Sequence, residues 1–85
     1  MKLLTSDGKT YAVDWIDGPT ITTGRVVLQM QDSRNLSEIA ADFEGLAWMK
    51  RENEEQGDKL FEGYSELVNV ARKAGDLVIL TFDKP

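Results

Sequence analysis

Apolar and polar positions alternate along much of the first thirty residues, the period of a strand with one covered face. Lys2-Leu3-Leu4-Thr5 reads as a first strand, and Ser6-Asp7-Gly8-Lys9 as the hairpin turn that follows it. The return strand is predicted over Thr10 to Ile16, with Tyr11, Val13 and Trp15 sharing one face. Asp17-Gly18-Pro19 breaks that run. A third strand is predicted over Arg25 to Gln31, with Val26, Leu28 and Met30 on one face and Arg25, Gln29 and Gln31 mainly on the other. The period then changes. Leu36, Ile39, Ala40 and Phe43 recur at helical spacing. Asn35 or Asp32-Ser33 is placed to cap this helix and Gly45 to stop it.

Residues 46–73 carry two competing signals. Their Ala, Leu, Met, Lys, Arg and Glu content favours helix by propensity. Their apolar segments, Leu46-Ala47-Trp48-Met49 and Leu60-Phe61, have strand length and flank the wholly polar Glu52-Asn53-Glu54-Glu55-Gln56-Gly57-Asp58. Gly63 suits a bend or bulge better than a helix interior. The favoured reading is a hairpin around the acidic loop. Glu66 to Arg72 then reads as a strand, Lys73-Ala74-Gly75-Asp76 as a turn, and Leu77 to Phe82 as a central strand covered on both faces. The expected fold is α+β and mainly antiparallel, about seven short strands with one short helix. Residues 1–85 are expected to form one small barrel- or sandwich-like domain.

Composition removes many kinds of chemistry. The 85 residues include no His and no Cys. A Ser-His-Asp triad, a Cys nucleophile, a disulfide framework and the common zinc sites are therefore excluded. Ten Lys and Arg against 15 Asp and Glu leave a formal charge of −5, the wrong sign for binding a phosphate backbone. No apolar stretch approaches the ~18 residues of a membrane span. The start of the chain has no signal-peptide core, because Asp7-Gly8 interrupts Leu3-Leu4 at once. A cytoplasmic or virion-associated protein is expected, with no cleaved targeting segment, no cofactor, no metal, no nucleic acid and no identified small molecule.

Candidate chemistry is sparse. Residues 52–66 hold six acids, Glu52, Glu54, Glu55, Asp58, Glu62 and Glu66, against the single base Lys59. That run alone sums to −5, so the remaining residues are neutral. Read as a calcium loop from Glu52, it places Glu54, Gln56 and Gly57 correctly, but Gly63 stands where the bidentate Glu belongs. A solvated hairpin tip, and a candidate partner surface, is the better reading. Asp14 and Asp17 lie three apart, which in a strand puts them on opposite faces and not in an acid–base pair. Residues 18–24 lack the Gly-Lys-Ser/Thr ending of a phosphate loop. Trp15, Trp48 and Tyr64 are candidate aromatic contacts. No catalytic set emerges, and a non-enzymatic protein is expected.

One resemblance spans nearly the whole chain. The opening Met-Lys-Leu strand, Asp7-Gly8-Lys9-Thr10-Tyr11, Ile16-Asp17-Gly18-Pro19, the helix ending in Asp42-Phe43 and Glu62-Gly63-Tyr64 after a charged turn carry it. With a terminal β-hairpin, these features resemble small uncharacterised proteins from the tail-gene clusters of phages and prophages of Gram-positive bacteria. The resemblance implies a tail-associated structural or assembly role through protein–protein contacts, with a protein partner or self-association. The alternative of another class is a small acidic inhibitor of a host nucleic-acid-binding protein, its carboxylates imitating phosphates.

Overall fold

A computed structural model describes residues 1–18, 24–52, 59–62 and 66–83, with only the backbone described at positions 59, 61 and 62. Eight strands and one helix lie among the described residues. They are β1 (Lys2–Thr5), β2 (Thr10–Ala12), β3 (Trp15–Asp17), β4 (Val26–Gln31), α1 (Leu36–Phe43), β5 (Trp48–Arg51), β6 (Lys59–Glu62), β7 (Glu66–Ala74) and β8 (Leu77–Asp83). They form two four-stranded antiparallel sheets, ordered β2-β1-β5-β6 and β3-β4-β8-β7. The sheets share no described strand, so the arrangement is sandwich-like and not a closed barrel.

Each sheet joins two hairpins distant in sequence. β1–β2 meets β5–β6 through the β1–β5 ladder, with Leu3 opposite Arg51 and Thr5 opposite Met49. β3–β4 meets β7–β8 through the longer β4–β8 ladder, from Val26 opposite Phe82 to Gln31 opposite Leu77. The inner faces meet in a single apolar cluster. Leu3, Met49 and Leu60 come from the first sheet; Val26, Leu28, Met30, Val78, Leu80 and Phe82 come from the second. The expected apolar face of β4 is therefore the core face.

The helix closes this core. Leu36–Phe43 is eight residues long. Ile39 and Phe43 are buried, and Leu36 packs partly against the same cluster. The Phe43 ring lies 4.8 Å from that of Tyr11 and 5.9 Å from that of Phe82, bridging the two sheets. Asn35 is the N-cap residue, but its side chain does not cap. Its carbonyl accepts from the Glu38 and Ile39 amides, and its Nδ2 donates to Glu38 Oε1 at 3.3 Å. Gly45, at φ +70°, follows the helix end in a conformation that favours glycine.

Three expectations need correction. The strand predicted over Thr10 to Ile16 is two strands in different sheets. Val13 exchanges backbone bonds with Met1 in the first sheet, whereas the Asp14 amide donates to the Gln29 carbonyl in the second, at 2.7 Å. The crossing resets the side-chain phase. Val13 and Ile16 are buried while Trp15 is 45% exposed, so Val13 and Trp15 do not share a face. The described strands number eight, in keeping with the about seven expected. Last, β8 is central as expected but is covered once. Val78, Leu80 and Phe82 are buried, while Leu77, Ile79 and Thr81 on its other face are only half-buried. The ambiguous stretch after Leu46 resolves into strands β5, β6 and β7, as the hairpin reading expects.

Candidate functional site

The acidic run is divided by the fold. Glu52 is exposed just past β5, where its amide donates to the Lys2 carbonyl at 3.0 Å. Glu62 ends β6 opposite Trp48, in the same sheet. Glu66 begins β7 in the other sheet, exposed and opposite Asp83. The run is thus not confined to one hairpin. Glu54, Glu55 and Asp58 lie outside the described residues, as does Tyr64 and most of the calcium-like spacing.

The two tryptophans are on opposite sides of the molecule. Thr5 and Met49 pair on the core face of the first sheet, which puts Trp48 and Lys50 on its outer face. The Lys50 ammonium sits 5.9 Å from the centre of the Trp48 ring, a cation–π contact. Ile16 and Leu28 pair on the core face of the second sheet, which puts Trp15 on that sheet's outer face. The two rings do not line one concave site.

The outer face of the second sheet spans the longer ladders and mixes apolar with polar side chains, Trp15 being the most exposed of its large apolar ones. Its rows follow from the register. Trp15, Gln29, Ile79 and Ala71 form one row across the four strands. Asp17, Val27, Thr81 and Asn69 form the next, and Gln31 with Leu77 and Ala74 a third. Among the described residues no element packs over these rows, because α1 meets the core side. At one end Arg25 grips Asp83, with Nε donating to Oδ1 at 2.8 Å and Nη2 to Oδ2 at 3.2 Å. This pair holds the Asp83 carboxyl below its usual range. The centre of the face carries no charge.

A second cluster, unmarked by any motif, lies where α1 enters. Arg34 Nη2 is 2.8 Å from both Asp32 Oδ2 and Asp42 Oδ2, and its Nε also reaches Asp32. The Arg34 amide donates to the Asp32 carboxylate, an Asx turn. From β7, Arg72 donates to the carbonyls of Asp32 and Arg34 at 2.7 and 2.6 Å. The hydrogen bonds from Arg34 hold the Asp32 carboxyl below its ordinary value despite partial burial. The nearby Tyr11 hydroxyl is buried without a hydrogen-bond partner among the described residues. Burial first, then the charge of Asp42, raises its pKa, so it stays protonated. Both carboxylates are engaged by arginine, which makes the cluster a clamp on the β4–α1 connection. The sequence marks Asp32 only as a helix cap and Arg72 only as the last residue of a predicted strand. Their meeting depends on the β7–β8 hairpin lying beside residues 32–34, which no local pattern encodes.

Comparisons of the chain with family models, with curated proteins and with solved structures find no match.

Proposed function

We propose that this chain is a structural or assembly protein of a phage-like particle, tail-associated, and that it acts by protein–protein contact and not by catalysis. The observation that carries the reading is the uncovered outer face of the second sheet. Trp15, Val27, Leu77 and Ile79 lie on it, and its centre is uncharged. An open face that mixes apolar side chains with uncharged polar ones, Gln29 and Thr81 among them, has the composition of a protein interface. The resemblance of the short motifs to tail-cluster proteins supplies the setting. The acidic-inhibitor alternative is less well supported, because the described members of the acidic run are divided between the sheets, Glu52 and Glu62 with the first and Glu66 in the second, and form no single stripe.

Mass spectrometry of particles purified from cells that carry the gene tests this reading. The chain is expected in the particles or in their tail-assembly intermediates. Its absence from both, while it is present in the same lysate, would refute the role.

A further inference from the structure

We propose that the outer face of the second sheet is the contact between two copies of this chain, stacked face to face about a two-fold axis running along the strands between β4 and β8. The inference rests on the reading of that face as an interaction surface and adds the identity of its occupant.

The argument is one of self-complementarity. An isologous contact needs a face that fits its own copy. Rotation about this axis lays β4 over the copy's β8, and β3 over its β7, with each row kept over the same row. The register then decides what meets what. Trp15, the largest exposed side chain on the face, falls over Ala71, the smallest in its row. Gln29 falls over Ile79, and Val27 over Thr81, so the centre meets without a buried charge. At the end of the face Arg25 falls over the copy's Asp83, and Asp83 over the copy's Arg25. The two intramolecular pairs become a square of alternating sign, with Glu66 of each copy outside it on β7, beside Asp83. A rotation that brought like rim charges together would repel; this one alternates them. Two twisted sheets stack with their strands about 30° apart, which keeps the central rows in contact. The face is four strands wide and about 20 Å across, so each copy buries on the order of 400 to 500 Å², below the standard interface and in the range of weak, transient contacts. Dimerisation is therefore expected to depend on protein concentration.

Sedimentation of the full chain over a wide concentration range tests the proposal, together with two charge reversals. Arg25→Asp gives a copy with two acids at the rim, and Asp83→Arg one with two bases. Each variant alone is expected to stay monomeric at concentrations where the parent dimerises. An equimolar mixture of the two is expected to restore the dimer, because every intermolecular pair is then of opposite sign. Both side chains lie at the rim, and circular dichroism confirms the fold of each variant. Should either fail to fold, Ala71→Arg replaces it as a block to Trp15, with loss of dimer expected. A parent that is monomeric throughout, reversed variants that dimerise like the parent, a mixture that stays monomeric, or a folded Ala71→Arg variant that dimerises like the parent would overturn the proposal. A monomeric chain that still enters particles would overturn the dimer alone and leave the assembly role standing.

Discussion

The backbone at Gly18 shows how narrowly one residue can be specified. Its φ is +100°, and a Cβ built there would run into the Arg25 carbonyl. Gly45 also has positive φ, at +70°, but open space surrounds it. The two sites therefore separate conformational strain from collision. Gly45→Ala is expected to cost about 1 kcal/mol, the ordinary penalty of a left-handed alanine. Gly18→Ala is expected to cost about 3 kcal/mol or more, since strain and overlap add. Urea denaturation of the two variants checks the order, and equal losses would contradict it. The sequence marks Gly18 as a breaker but not as a close approach. The approach is created by Arg25, which the fold brings back beside it. Trp15 teaches the same lesson in reverse. Alternation from Tyr11 assigns it to the face of Val13, and the crossing at residues 13 and 14 puts it on the other side of its own sheet.

At the scale of elements, the helix is legible and its attachment is not. Leu36, Ile39 and Phe43 announce an apolar stripe through their spacing, and Ile39 and Phe43 are its buried members. Nothing in the spacing indicates that Arg34 would tie Asp32 to Asp42, or that Arg72 would hold the loop from β7. The clamp has a pH signature. Asp32 is depressed below the ordinary 3.8 by its bonds from Arg34, so the folded state favours the ionised form. That contribution is fully present above the unfolded value and is lost as pH falls through the lower, folded one. Asp32→Asn is expected to cost about 1.5 to 3 kcal/mol at neutral pH, the range for a hydrogen bond to a charged group. It is also expected to flatten the fall in stability below about pH 4. Thermal unfolding from pH 7 to pH 2 measures both. A variant with an unchanged acid limb would show that Asp32 takes no part in it.

The whole molecule is two sheets held by pairings between distant hairpins, with Phe43 between them. Its outer surfaces differ. The first sheet presents Trp48 under Lys50, and the second presents Trp15 in a row with Gln29, Ile79 and Ala71. If copies associate through the second sheet, Trp15 is shielded and Trp48 is not. In Trp48→Phe, iodide quenching of the remaining tryptophan is expected to fall as protein concentration rises. In Trp15→Phe, it is expected to stay constant. Equal behaviour of the two variants would place the contact elsewhere. Much of the local structure was written in the chain. Alternation in β4, the turn after Thr5, the apolar run of β8 and the spacing of the helix each depend on residues a few positions apart. Those short-range preferences favoured an antiparallel α+β protein and strands after Leu46. Only the tertiary structure decided that β1 joins β5 and β4 joins β8. Backbone donors and acceptors are the same in every strand, so partner choice leaves no local mark in the sequence. It also decided that the chain changes sheet between Val13 and Asp14, and that one face of β8 stays open. Which face is covered depends on where the helix and the opposite sheet come to rest, and that is settled by packing across the core.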